Sequence, residues 1–583
     1  MKKHSLETCR LIPTFVCAVL LSGLTLPLPG AVETTPEKGQ EDIAPETLRS
    51  PVNGVFQWHV ETKYKFTEVA NESTAQAYLW IPEHCQKVRG ALLLFRNIID
   101  ESLTVNPSIR AVCMKNDLAI VWVGNYIFAR DKDKKPTGTP QEYSEFIGKI
   151  FNEFAALSGY NELSSTPWLP FAQSAQMPML TYLLKGNPER CIAEIALKDP
   201  NYHPEINQEV PVLNWKGTGS SWDQGSAGPS YCDVWHSSER FQKFYAPFIP
   251  VHAKFPNWPG SYVMEGWSSH FGLTESMVQY LAEYISTVTK ARLPDQPGEP
   301  LKKIDVSKGW VTGLPVPFYD NGRKPFPPIP YNQATPAQRV EPWFFTESEA
   351  RRAYEIASIN WDAESQMPAI VNENGEVYPH CFRGLQRFSP IFGDDGITFK
   401  LSPILMDALP STFVVESGRA LSKTPGKPFV YWMNGCVAPL GDDTWQLSLS
   451  RSANLGISDA GAWLAVYKSG DGKVRGVEQP FELFFNPNKQ GTAQQITFDP
   501  ISDIKVGSTP SMTLSAKASS GLPVRYYVLQ GPAVIDGDKL TFTAIPPRAK
   551  FPLKVTVVAW QWGIKDKIQT AVSVAQSFNL VDQ

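Results

Sequence analysis

Charge is scarce in this chain. Only 19% of its 583 residues are Asp, Glu, Lys or Arg, and the formal net charge is −4. There is no basic excess of the kind that draws a protein onto nucleic acid. Cysteine is also sparse, at 8 residues, and no Cys-x-x-Cys occurs. The closely spaced ligand pairs of a structural zinc site are therefore missing, and no metal or cofactor is expected. Beyond residue 31 no apolar run approaches the roughly 20 residues that span a bilayer. What is abundant is proline, at 50 residues, and tryptophan, at 17, within a chain that is 42% hydrophobic. That balance fits ordered, loop-rich and β-rich domains rather than disorder. At this length two to four domains are expected, because one core rarely organises so long a chain.

The first 31 residues read as an export signal. Lys2, Lys3 and Arg10 precede the apolar run Leu11 to Leu28, and small residues follow at Gly30 and Ala31. Pro13, Pro27 and Pro29 leave too short an uninterrupted stretch for a membrane anchor. Thr14, Phe15 and Val16 before Cys17 are not the small residues of a lipid-attachment site. The expectation is a secreted, periplasmic or cell-surface bacterial protein whose mature chain begins near Val32. Cys85, Cys113, Cys191, Cys232, Cys381 and Cys436 then remain. An even set permits disulfides in an oxidising compartment but fixes no pairing.

Residues 32–54 are rich in Glu, Pro and Thr and read as a solvated leader. The alternation from Phe56 to Phe66 and the stretch Ala77 to Ile81 predict antiparallel strands. From Ala91 the pattern changes to short apolar runs separated by amphipathic helices. The runs are Ala91 to Phe95, Leu118 to Val123, Trp168 to Ala172, Ile192 to Leu197, Val210 to Trp215 and Tyr262 to Glu265. Such alternation predicts a mostly parallel sheet with helices on both faces. One helix is signalled by Thr139, Pro140 and Glu142, a cap, a first-turn proline and a capping box, and by Gly159 as terminator. Its stripe of Tyr143, Phe146, Ile147, Ile150, Phe151 and Phe154 is expected in the core. A second helix, capped by Thr274 and stopped by Pro294, carries Met277, Tyr280, Leu281, Tyr284, Ile285 and Val288.

Residues 297–490 shift to Pro, Gly and short strands and predict a β-rich middle module. It has one helix over Thr346 to Trp361, with Thr346 and Glu349 as a capping box, and Pro325 to Pro330 as an extended linker. Residues 491–583 offer strands at Ile496 to Phe498, Met512 to Ala516, Val524 to Leu529, Leu540 to Phe542 and Leu553 to Ala559. The run from Ile496 through Ser519, Ser520, Gly521, Leu522 and Pro523 to Gly531 and Pro532 resembles the Ig-like modules appended to exported bacterial proteins. That resemblance implies a β-sandwich with a spacer or attachment role.

Ser174 is the candidate nucleophile. It sits between the strand Trp168 to Ala172 and the helix Gln176 to Leu184, where a G-x-S-x-G turn would present a serine. Ala172 and Gln176 stand where that motif has glycine. His270 follows the last strand and precedes a helix, in chain order suited to the base that takes the serine proton. For the orienting acid, the loop after Val210 to Trp215 offers Asp223 first and Asp233 next, with Glu265 a third candidate. A developing oxyanion needs two donors. The backbone N–H of Ala175 is one, and the loop Arg96 to Ile99 supplies the other from Asn97 or Ile98.

Over Ala77 to Leu293 the segments Arg96 to Glu101, Ser158 to Leu163, Pro170 to Ala175 and Asn187 to Arg190 resemble exported bacterial α/β-hydrolase, or esterase-like, proteins. The resemblance implies an α/β-hydrolase domain over 55–296. That group's turn is usually G-H-S-A-G, so Ala172, Gln173 and Gln176 depart from it. The leading expectation is a serine hydrolase cleaving carboxylic esters of a small molecule or of acylated extracellular polysaccharide. A second is a carbohydrate-binding or scaffold protein that kept the fold and lost the chemistry, using Trp168, Trp222, Trp235 and Trp267. A peptidase on the same fold shares every site residue.

Overall fold

The computed structural model describes residues 54–67, 72–124, 137–198, 200–217, 245–266, 268–270, 272–296, 298–316, 323–360, 363–379, 386–409, 418, 420–454 and 460–582. The predicted export signal, the predicted leader up to residue 53, Asp223, Asp233, Cys232, Cys381, Trp222, Trp235 and Trp267 lie outside them. From residue 54 onward the described chain belongs to one compact unit. No helix among the described residues is long and apolar enough to cross a membrane.

An eight-stranded sheet organises the first half. Its strands are β1 (Trp58–Tyr64), β2 (Ser73–Trp80), β3 (Gly90–Phe95), β4 (Leu118–Val123), β5 (Trp168–Gln173), β6 (Glu194–Leu197), β7 (Val212–Gly217) and β8 (Gly260–Glu265). They lie in the order β1-β2-β4-β3-β5-β6-β7-β8. β2 is antiparallel to both its neighbours, and β4, β3 and β5 to β8 pair in parallel. This is a mostly parallel sheet like that of α/β hydrolases. Every residue of β3 to β8 is buried. Strands covered on both faces read as unbroken apolar runs, which is why their positions are visible in the sequence. The two antiparallel strands expected before Ala91 turn out to extend the same sheet.

Helix α1 spans Asp100–Val105, α2 Pro107–Lys115, α3 Pro140–Ser158, α4 Met177–Gly186, α5 Phe248–Lys254 and α6 Glu275–Arg292. α3 packs with α4, and α2 with α6. The predicted stripes of α3 and α6 are buried. The Thr139 capping box forms, and Gly159 ends α3 at φ +85°, a left-handed cap that side chains resist. The C-terminal block closes over this end. Lys550 N donates to Ser158 O at 2.8 Å, and the Arg548 guanidinium reaches Gln86 O and Glu162 Oε1.

The rest of the chain is strand-rich and forms several small sheets. Residues 297–490 contribute a four-stranded sheet of Gln386–Phe388, Val477–Phe485, Ala460–Lys468 and Phe429–Gly435, in that order. The expected helix runs from Glu347 to Ala357, and Thr346 Oγ1 accepts from Glu349 N as a cap should. Glu349 Oε2 also accepts from Phe345 N at 3.2 Å, just before the capping residue. The Pro-rich segment read as a linker is instead a strand, Phe326–Pro330, paired with Trp310–Gly313. It lies at an edge of its sheet, where proline's missing donor is tolerated. Beyond residue 490 a four-stranded and a three-stranded sheet account for most of the strands. Cys85, Cys113, Cys191 and Cys436 are free, buried thiols. Burial pushes Cys85 and Cys113 up to about 12, so they behave as small hydrophobes.

Glu194 opens β6 with 0% exposure. Asn201 donates to its Oε2 at 2.7 Å, and its Oε1 has no hydrogen-bond partner. Burial raises its pKa from 4.5 to about 8. Between those values the folded chain holds the proton and the unfolded chain releases it, so this group costs stability as pH rises from about 4.5 to 8. Glu194→Gln is neutral at every pH. Thermal melts should therefore show the variant gaining on the native protein from pH 5 to pH 8; an unchanging difference would contradict this.

Candidate active site

The residues that follow β3, β5 and β8 meet at the carboxyl edge of the parallel strands, where open α/β sheets form their crevices. β5 ends at Gln173, and the chain turns at Ser174 with φ +48°. A short 3-10 turn, Ser174–Gln176, then leads into α4, whose first turn holds Pro178. A serine in the left-handed region costs on the order of 1 kcal/mol or more and persists only where its surroundings over-determine it. Here Ala172 and Gln173 are fully buried on one side, as is Gln176 on the other. Ser174 is half-buried and Ala175 exposed. The strained turn thus lifts the hydroxyl and the next backbone N–H to the surface of an otherwise buried ridge.

His270 is brought to it. Its Nε2 lies 2.8 Å from Ser174 Oγ, across 96 residues of sequence. His270 is 2% exposed. It stands in the loop between β8 and α6, and that loop packs on Gly217 at the end of β7. A Cβ on Gly217 would lie 2.4 Å from Ser268 Oγ.

The acid candidates divide. Asp223 and Asp233 fall outside the described residues. Glu265 ends β8, where its Oε2 accepts from Trp215 Nε1 at 3.1 Å and its Oε1 from the Thr274 hydroxyl. Lys198 Nζ stands 4.0 Å from Glu265 Oε2 and donates to Ser268 Oγ at 3.3 Å. Glu265 is thus held in a buried polar cluster behind the His270 loop.

The loop after β3 lies beside the turn, with its donors already engaged. Asn97 N donates to Asp100 Oδ1 at 2.6 Å, and Ile98 N and Ile99 N donate to Gln173 Oε1 at 3.3 and 3.2 Å. The backbone N–H groups of Asn97 and Ile98, expected to face an oxyanion, are turned inward by these acceptors. The Asn97 side chain does reach the turn, where its Nδ2 donates to Gln173 O at 2.6 Å. Gln173 Nε2 in turn donates to His270 O at 3.2 Å. Gln173 is therefore a brace between the loop after β3 and the loop after β8, directly beneath Ser174.

Gln176 is the less comfortable departure. Neither of its side-chain polar atoms has a hydrogen-bond partner, and it is 0% exposed. A buried orphan amide costs about 1–3 kcal/mol. Trp168, offered as a carbohydrate contact, is instead wholly buried in β5, with the Arg190 guanidinium 4.0 Å from its ring centre. The apolar run that made it look strand-like also places it in the core.

Three neighbours of the site come from strands far along the chain and carried no sequence signal of their own. Glu478 Oε2 accepts from Ser269 N at 3.1 Å and from Ser269 Oγ at 3.3 Å. Tyr431 donates its hydroxyl to Glu478 Oε1 and accepts from Leu273 N at 3.2 Å. Asn434 Nδ2 donates to Ile98 O at 2.6 Å.

No protein-family model matches the chain, and no curated protein matches it by sequence. Among solved structures it is similar to a hydrolase from Thermoplasma acidophilum, at 9% identity and a TM-score of 0.25, covering 39% of this chain and 99% of that one. It is also similar to an S-formylglutathione hydrolase from Agrobacterium tumefaciens, at 10% identity and 0.24, covering 40% and 94%. A third is a poly(3-hydroxybutyrate) depolymerase from Bordetella parapertussis, at 11% and 0.26, covering 41% and 92%.

Proposed function

We propose that this chain is an exported serine hydrolase of carboxylic esters, with Ser174 as nucleophile, His270 as general base and Asp223 as the orienting acid. The observation that carries the reading is the 2.8 Å contact between His270 Nε2 and Ser174 Oγ at a strained strand-to-helix turn. Nε2 takes the Oγ proton as Oγ attacks the ester carbonyl. The oxyanion accepts from the Ala175 N–H and from the second hydrogen of the Asn97 amide, which needs only one for Gln173 O. The imidazolium gives its proton to the leaving alkoxide, and an alcohol departs from the acyl-enzyme. Water then loses a proton to Nε2 and attacks the acyl carbon, the acyl–Oγ bond breaks as Ser174 Oγ takes that proton back from Nε2, and the acid departs. The basic and apolar pattern of the first 31 residues supports an extracellular setting, and acyl groups on polysaccharide are the substrate class we infer for it.

The inward-turned N–H groups of Asn97 and Ile98 and the unsatisfied Gln176 favour a second reading, a carbohydrate-binding or scaffold protein with the chemistry lost. Pre-steady-state kinetics separate the two. With aryl acetates and with acetylated polysaccharide, the hydrolase reading expects a burst of one alcohol per protein chain before steady release of acid. Binding of the glycan with no burst and no acid release supports the scaffold, and faster turnover of peptide amides than of esters supports a peptidase.

A further inference from the structure

We propose that the β-rich segment 297–490 is part of the active site, and that Glu478 is its positioning residue, holding Ser269 and Leu273 on either side of His270 so that His270 meets Ser174. The inference deepens the hydrolase reading and rests on it for its kinetic consequence. Its geometric content stands apart from that reading.

The carboxylate spans the histidine. Its Oε2 takes the N–H and hydroxyl of Ser269, immediately before His270. Its Oε1 takes the Tyr431 hydroxyl, which in turn accepts from Leu273 N beyond it. Both flanks of the residue that must touch Ser174 are thereby tied to one rigid strand, Val477–Phe485, in the middle of a four-stranded sheet. A second feature of the loop fits this acid. A Cβ on Gly272 would fall 1.5 Å from Glu478 Oε2, so the loop backbone passes close against the carboxylate. The module grips the opposite wall as well. Asn434 bonds Ile98 O, and Gly435 N donates to Glu101 Oε2 at 3.2 Å, both from the strand that carries Tyr431.

The charged groups facing Glu478 are Lys198, from the end of β6, and Glu265, from the end of β8. Burial pushes Glu478 up to about 7, Lys198 draws it down and Glu265 adds to the rise. As a carboxylate it can accept all three donors, and charge-assisted bonds are the stronger ones. Protonated, it loses that charge as pH falls through about 7, and the loop is held less firmly. A base displaced by about 1 Å can cost on the order of 100-fold in rate.

The test is Glu478→Gln in the full chain, which keeps shape and removes charge, with Glu478→Asp as the charge-keeping variant. Glu482→Gln, on the same strand and paired with Arg387, is the control. The expectation is a kcat for aryl acetate lowered about 10- to 100-fold in Glu478→Gln, with KM within about twofold and an unchanged melting temperature. Partial recovery is expected in Glu478→Asp, and a control equal to wild type. In chains labelled with 15N-histidine, the ring signal of His270, assigned by its loss in His270→Ala, should shift in Glu478→Gln and not in Glu482→Gln. Wild-type kcat together with an unmoved His270 signal overturns the proposal. So does a kcat loss accompanied by a lowered melting temperature and an unmoved His270 signal, which marks a purely structural acid. If the wild type turns over no ester, the hydrolase reading falls, and the His270 signal alone decides whether Glu478 positions the ring.

Discussion

Ser174→Ala is expected to lower kcat/KM for small acyl esters by about 10⁴- to 10⁶-fold, and His270→Ala by a comparable factor. The reason is the single hydrogen bond that joins them. Either truncation leaves a partner with no proton to give or no base to take it. The double variant should therefore be no slower than the worse single one, because groups that act as one unit do not contribute additively. Folding should be little affected. Serine and alanine meet the same backbone strain at φ +48°, and the serine hydroxyl belongs to a half-buried residue. Steady-state kinetics on the three variants check the claim. Multiplying losses would indicate two independent contributions and not a nucleophile–base pair.

Gln173→Ala should have the largest combined effect on stability and rate outside that pair. Its side chain accepts from Ile98 N and Ile99 N and donates to His270 O. All of these groups belong to buried residues. Truncation leaves two N–H groups and a carbonyl without their partner, at about 1–3 kcal/mol each where no water replaces it. A loss of about 3 kcal/mol or more is expected, with the melting temperature falling by roughly 6–12 °C for a domain of this size. Because the same amide ties the Asn97 loop to the His270 loop, kcat should also drop about 100-fold. Asn97→Ala should cost far less stability, since only its contact to Gln173 O is lost. A melt of Gln173→Ala that overlays the wild type would show that these bonds are not a brace.

The parts of the molecule that were legible in the sequence share a physical cause. Strands buried on both faces leave apolar runs, and a capped amphipathic helix leaves Thr139, Pro140 and Glu142 at its start and Gly159 at its end. That Ser174 and His270 meet was legible because chain order and the strand–turn–helix setting restrict which residues can come together at the end of the sheet. What stayed hidden depends on contacts between segments distant in the chain. Glu478 lies 209 residues from Ser269, and nothing local distinguishes it from any other acid on a strand. Gln173 looked like a departure from a motif, and its role becomes visible only when the loops on either side of it are in place. The segment Phe326–Pro330 read as a linker because proline composition reports backbone stiffness and says nothing of the neighbouring strand Trp310–Gly313 that pairs with it. The inward-turned N–H groups of Asn97 and Ile98 left no trace either, since backbone donors carry no residue-type signature.

The most direct measurement of the central claim is mass-spectrometric mapping of a fluorophosphonate adduct on the full-length protein and on His270→Ala. A Ser174–His270 nucleophile pair predicts a single covalent adduct on Ser174 that forms in the wild type and is lost, or slowed by several orders of magnitude, without the imidazole. Labelling at another serine, or none under conditions that label an active serine hydrolase, would contradict it.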